Sequence, residues 1–204
     1  LALFPRKIDG RYCAIGRLDH ESLFFLQSDD RFVWNYGKRV MGPKYLWELV
    51  QMGNCGSPIE LDEGWLLLTH GVGAMRQYSM GAVLLDKKDP SKVIGRSVEP
   101  FLTPVDETRE GYVPNVVYTC GMLRVGERLL IPYGVADSAV RFISVTTRDV
   151  SEAGVFVECE AGAAIPLFRL VHLQIERSIR MSEALPSRLR EGRVLSAVWR
   201  VAPC

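Results

Sequence analysis

The chain has no surplus of either charge. Its 204 residues carry 25 basic and 24 acidic side chains, a formal net charge of +1. That balance excludes a protein whose business is to coat nucleic acid or an anionic membrane surface. It also has no uninterrupted apolar run near the ~20 residues of a membrane span. No two of its five cysteines (Cys13, Cys55, Cys120, Cys159, Cys204) form a C-x-x-C pair, and its three histidines (His20, His70, His172) lie far apart. Scattered, odd-numbered cysteines fit reduced thiols in a cytoplasm better than a disulfide framework, and neither set has the spacing of a zinc site. The start, Leu1 to Lys7, has neither an initiating Met nor the basic-then-apolar order of a secretion signal, so sequence upstream of Leu1 is expected. At 48% hydrophobic and 24% charged residues, the composition is that of a folded domain rather than a disordered one.

Over the first two-thirds, short apolar strands alternate with polar turns, and one pattern recurs three times. Residues 7–16, 60–71 and 124–134 each run through a polar turn containing Gly (Gly10, Gly64, Gly126), then four or five strand formers, then a second Gly. The turn glycines are 54 and 62 residues apart, and a further apolar strand follows each copy, at 23–28, 81–86 and 140–145. Two related strands per unit at a period near 50 residues predict an all-β fold of β-propeller blades. A plain β-sandwich, whose hairpins also alternate turn and strand, is the alternative. Three units fall short of the roughly four to eight blades of a closed ring, which again leads to the expectation of sequence upstream. Trp34, Trp47 and Trp65 are candidates for a sugar platform, although each taken singly suits core packing.

Four strings place polar side chains beside glycines at strand ends: 47–60, 69–73, 109–115 and 132–137. Strand ends of a propeller converge on its axial mouth. Gathered there, His, Arg, Asn, Asp, Glu and Tyr suit a ligand rich in hydroxyls, which needs many directional hydrogen bonds. Each string alone suits turn or capping duty; four together favour a site.

The strings Phe4–Tyr12, Gly53–Glu60, Gly64–Val72, Asp89–Arg96, Glu110–Tyr118 and Tyr133–Asp137 resemble glycoside hydrolase family 130. The resemblance covers roughly residues 1–138, with the six strings in order and at matching spacing. It implies a five-bladed β-propeller, of which about three blades are present here, acting on β-mannosides by inverting phosphorolysis or hydrolysis. It implies no cofactor, with inorganic phosphate as co-substrate in a phosphorylase, and β-mannooligosaccharides as ligands; a homo-oligomer stays open. Carried over by position, Arg17 is a phosphate-binding arginine. His70 contacts phosphate or sugar, and Asp137, Tyr78 and Asn115 bind sugar. Gln51 stands where phosphorylases carry a lysine. Loss of that charge favours hydrolysis over the alternative, phosphorolysis to mannose 1-phosphate. Hydrolysis needs a carboxylate base, for which Glu110 and then Glu60 are the candidates, with an acid–base separation of about 6.5–9.5 Å for inversion. The family's general acid is an aspartate upstream of the Phe-Pro string, so the resemblance places it before Leu1. A non-catalytic binding module is the competing class.

Beyond residue 138 the character changes. The D-x-S-x-x-G element Asp149, Ser151, Gly154 resembles a PilZ domain, a small cyclic di-GMP-binding β-barrel, over 139–204. The R-x-x-x-R arm that would grip the phosphates is missing upstream, which argues against nucleotide binding. The arginines between 177 and 190 alternate with Glu176, Glu183 and Glu191 and read as a solvated face.

Overall fold

A computed structural model describes residues 1–104 and 111–146; the D-x-S-x-x-G element and the arginine-rich segment lie outside the described residues. Three antiparallel sheets follow one another along the chain. The first comprises β1 (Ala2–Leu3), β2 (Tyr12–Gly16), β3 (Leu23–Ser28) and β4 (Gly37–Met41), paired in that order. The second contains β5 (Gln51–Asn54), β6 (Ile59–Glu60), β7 (Trp65–Val72), β8 (Tyr78–Leu85) and β9 (Val93–Arg96), and the third β10 (Val117–Tyr118), β11 (Leu123–Val125), β12 (Arg128–Val135) and β13 (Ala139–Thr146). No helix among the described residues is long and apolar enough to cross a membrane.

The three-fold sequence pattern is a three-fold structural one. Each turn glycine leads directly into the long inner strand of its sheet: Gly10 into β2, Gly64 into β7, Gly126 into β12. In the first copy Asp9 and Gly10 both have positive φ (49° and 77°) and close a two-residue turn, with Ile8 and Arg11 exchanging both backbone hydrogen bonds. That is the turn whose twist matches the strands it joins. The second and third sheets also share an irregularity. Their first strand is split, so β5 and β6 both pair with β7, as β10 and β11 both pair with β12. The two breaks pack on each other: a Cβ on Gly56 would sit 2.4 Å from the Cys120 carbonyl oxygen.

Strand alternation decides how the sheets stack. On β7, Leu66 and Leu68 join one core with Leu129, Ile131, Ile143 and Val145 of the third sheet. Trp65 and Leu67 point the other way, into a core with Ile15, Leu23 and Phe25 of the first. The middle sheet is thus buried on both faces, which accounts for the unbroken apolar run Trp65–Leu68 and separates the fold from a two-sheet sandwich. Each such side chain contributes about 1.5–3 kcal/mol by burial. Successive sheets stacked through alternating faces are propeller blades. β13 pairs along its whole length with β12, so the third sheet runs past residue 138, where the sequence pattern placed the end of the propeller segment.

An ion pair is buried in this framework. Arg96 on β9 donates to both Glu48 carboxylate oxygens (2.7 and 2.6 Å), and the Lys44 and Tyr45 amides donate to the same carboxylate. Glu48 ends a short 3-10 turn, Leu46–Glu48, and the adjacent Trp47 ring lies over Gly71 and Gly81, where a Cβ would come within about 2.5 Å of it. Trp47 donates to the Val98 carbonyl and Trp65 to that of Lys87, so both are packing residues; Trp34 donates locally to Arg31.

Candidate functional site

β2, β7 and β12 run the same way in their sheets, so the loops that follow them lie at one end of the stack. Arg17 follows β2, residues 73–77 connect β7 to β8, and 136–138 connect β12 to β13. The segments that open the split strands reach the same end, because Gln51–Asn54 pairs with 69–72 and Val117–Tyr118 with 134–135. A cleft of about 850 Å³ opens there, lined by Asn54, His70, Met75, Arg76, Tyr78, Val113 to Val116, Tyr118, Thr119 and Asp137. Each of the four glycine-flanked strings therefore contributes: Asn54, His70, Asn115 and Asp137. The size falls within the range of small-molecule sites, about 300–1,000 Å³.

The backbone around this cleft is strained. Met75, Arg76, Asn115, Ala136 and Asp137 have φ between 50° and 61°, whereas elsewhere among the described residues only Asp9 and His20 are non-glycine residues with positive φ. A left-handed residue with a Cβ costs roughly 1–2 kcal/mol, and such strain collects at functional sites where surrounding structure imposes it. Here the clamps are hydrogen bonds within and between the connecting segments: Val113 N–H to Ala136 O, Ala136 N–H to Val116 O, Tyr78 N–H to Asn115 O and, within the β7–β8 connection, Gly73 N–H to Gln77 O. The side chains so held have their polar ends free. Among the described residues Asn54, Arg76, Tyr78, Asn115 and Asp137 make no side-chain hydrogen bond or ion pair.

His70 is fixed from three sides. It faces Gly53 across the β5–β7 ladder, where a Cβ would lie 2.4 Å from Cε1, so only glycine leaves the ring its place. The Tyr78 ring stacks at 6.1 Å and 25°. Its Nδ1 is 3.6 Å from the buried Cys55 sulfur. Burial first, and then the positive charge of Arg17, push the imidazole pKa down from 6.5 to about 4, so His70 is neutral at physiological pH. Burial pushes the Cys55 thiol up to about 12, leaving it a neutral, unreactive neighbour.

His70, Asp137, Tyr78 and Asn115 thus share one hollow. Arg17 does not line it but lies at the same end of the stack, exposed and within electrostatic reach of His70. Glu60, expected as a catalytic carboxylate, lies apart from this hollow. It pairs with Trp65 at the opposite end of β7 from the cleft, about 17 Å along the strand from His70. There it accepts a bidentate pair from Arg6 (both 2.7 Å) and lies 3.7 Å from Lys87. Arg6 holds the carboxyl below the usual carboxylate range. Sequence adjacency to a glycine-rich string suggested a shared site; strand direction separates them. Glu110 lies outside the described residues. Arg76, Met75, Tyr118 and Thr119 escaped the sequence reading; the available signal was that Arg76 falls in a short connection directly after the Thr69–Gly73 string. Among the described residues, no group of three or more His, Cys, Asp or Glu is placed to hold a metal ion.

Stacked antiparallel sheets, two of them with a split first strand, and a polar cleft at their shared end are the architecture of a β-propeller. The chain belongs to glycoside hydrolase family 130: the family model, described as β-1,4-mannooligosaccharide phosphorylase, matches residues 1–153. It is 37% identical over 151 residues to a 1,2-β-oligomannan phosphorylase of Thermoanaerobacter sp. (strain X514), covering 73% of this chain and 51% of that one. It is 38% identical to a β-1,4-mannooligosaccharide phosphorylase of Ruminococcus albus, covering 72% and 48%. The structure of β-1,2-mannobiose phosphorylase from Listeria innocua in complex with β-1,2-mannobiose superposes with a TM-score of 0.68 at 30% identity, covering 74% of this chain and 44% of that one. The chain spans about half the length of the curated relatives it matches. Family members are five-bladed propellers, and the described residues make up about three blades.

Proposed function

We propose that this chain carries the sugar- and phosphate-facing part of an enzyme that cleaves β-mannosides by phosphorolysis. In that reaction a phosphate oxygen bonds to the anomeric carbon, the glycosidic C–O bond breaks, and the departing oxygen takes a proton from a general acid. Asn54, Tyr78, Asn115 and Asp137 meet the mannose hydroxyls, and their free polar ends suit them to it. His70 contributes a neutral imidazole whose Nδ1 lies 3.6 Å from the Cys55 sulfur; in the tautomer protonated at Nε2, with the thiol donating to Nδ1, it presents a donor to the ligand. Arg17 supplies positive charge toward the phosphate.

The observation that carries this reading is the cleft, in which the unpartnered polar side chains of Asn54, Tyr78, Asn115 and Asp137 converge around the neutral His70. An inverting hydrolase requires an acid and a base carboxylate flanking the bond, whereas a phosphorylase needs no base, because phosphate is already the nucleophile. The phosphorylase names of the relatives favour phosphorolysis. Hydrolysis remains the second reading, favoured by the neutral Gln51 at the start of β5.

The test is incubation with β-1,2- and β-1,4-mannobiose with and without phosphate, alongside calorimetric titration of each sugar. Mannose 1-phosphate that forms only with phosphate supports phosphorolysis; mannose released equally without it overturns that reading in favour of hydrolysis. Asp137→Ala is expected to weaken β-mannobiose binding at least tenfold, and unchanged affinity removes the site assignment.

A further inference from the structure

The connection between β7 and β8 is closed by two backbone hydrogen bonds, Gly73 N–H to Gln77 O (2.9 Å) and Gln77 N–H to Ala74 O (3.2 Å). Within it Met75 and Arg76 are both left-handed, with φ of 56° and 55°, a conformation glycine would adopt without cost. Both side chains line the cleft.

The charge inventory of the cleft singles out Arg76. Several basic side chains away from the cleft are committed: Arg6 and Lys87 to Glu60, Arg11 to Asp29, Lys92 to Asp89, Arg96 to Glu48. Arg76 has no such partner among the described residues. His70 is neutral, and Gln51, in the ladder row Gln51–Val72–Tyr78 at the root of the loop, brings no charge. Arg76 is therefore the one cationic side chain lining the cleft among the described residues. A neutral mannoside gives a full positive charge no counterpart. A phosphoryl group does, and the planar guanidinium fork matches two of its oxygens.

We propose that Arg76 anchors the phosphoryl group in this cleft, met as inorganic phosphate in one direction of reaction and as a sugar 1-phosphate in the other, with Arg17 as the second cation. The assignment rests on the phosphorolysis reading. The β7–β8 loop is thereby a determinant of co-substrate affinity, and its strained backbone fixes where the guanidinium starts.

The experiment is calorimetric titration of the whole chain and its Arg76→Ala and Arg76→Gly variants with inorganic phosphate, mannose 1-phosphate and β-1,2-mannobiose. Glycine suits the left-handed backbone, so the second variant removes the guanidinium without straining the loop. The expected result is a Kd for both phosphate probes at least tenfold higher in both variants, with the Kd for β-1,2-mannobiose within twofold of wild type. Wild type and variants binding the phosphate probes equally overturns the role of Arg76 and leaves phosphorolysis standing. A wild-type chain that binds mannobiose but neither phosphate probe overturns both. An equal loss for the neutral disaccharide makes Arg76 a sugar contact and overturns the proposal as well.

Discussion

Acidification should reveal His70 in the folding equilibrium. The unfolded imidazole titrates at 6.5 and the folded one at about 4, so between these values the unfolded chain holds a proton that the native chain refuses. Stability from this group is fully present above pH 6.5 and is lost as the pH falls toward 4. At about 1.4 kcal/mol per pH unit, the linkage removes about 2 kcal/mol between pH 7 and pH 5 and on the order of 3 kcal/mol by pH 4. Asp19, Glu60 and Asp89, whose carboxyls are also held below their ordinary range, lose stability on acidification too. They are present in both wild type and His70→Gln, so the difference between the two isolates the histidine. The assay is urea unfolding of both proteins at pH 7.0 and 5.0. The wild type should lose about 2 kcal/mol more than the variant over this interval, whatever offset the substitution itself introduces. Equal losses would mean that His70 titrates as an exposed histidine, and the packing of Gly53, Tyr78 and Cys55 around it would not be as described.

Gly53→Ala should force the His70 ring aside, since the new Cβ would lie 2.4 Å from Cε1; calorimetry should show β-mannobiose affinity at least tenfold lower and urea unfolding a loss of about 1–3 kcal/mol. Gly126→Ala is the contrasting case: nothing lies within 4 Å of its added methyl but φ is 61°, so stability should fall by about 1–2 kcal/mol while sugar affinity is unchanged. Glu48→Gln leaves the Arg96 guanidinium buried without its counter-charge, and denaturant titration should register a loss of about 3–5 kcal/mol. Glu60→Gln should leave both sugar affinity and turnover within twofold of wild type, because its carboxylate serves the solvent-exposed Arg6 pair rather than the cleft; a large fall in turnover would restore it as a base.

The repeat was legible in the residues because hairpin turns are local. The turn at Asp9-Gly10, with both residues left-handed, requires a small residue that tolerates φ > 0, and the strand formers after each turn glycine leave β2, β7 and β12 nowhere else to begin. The same holds for the apolar run Trp65–Leu68, whose lack of alternation already marks a strand with two buried faces. The polar strings beside glycines located the cleft for a related reason: a close approach such as that of His70 to Gly53 excludes a side chain on the partner strand, and that exclusion is written in the sequence.

What the chain order alone determined, then, was the kind of unit, the strands within it and the polar residues beside their ends. Which of those residues meet was decided by strand direction and stacking. Glu60 and His70 are neighbours in one glycine-flanked stretch yet stand at opposite ends of β7, while Asn54, Asn115 and Asp137, far apart in sequence, come together because their strands end on the same side of the stack. The free charge of Arg76 was likewise invisible: an arginine carries its charge anywhere, and only the folded arrangement of acids decides whether that charge is already spent on a partner or left facing the cleft.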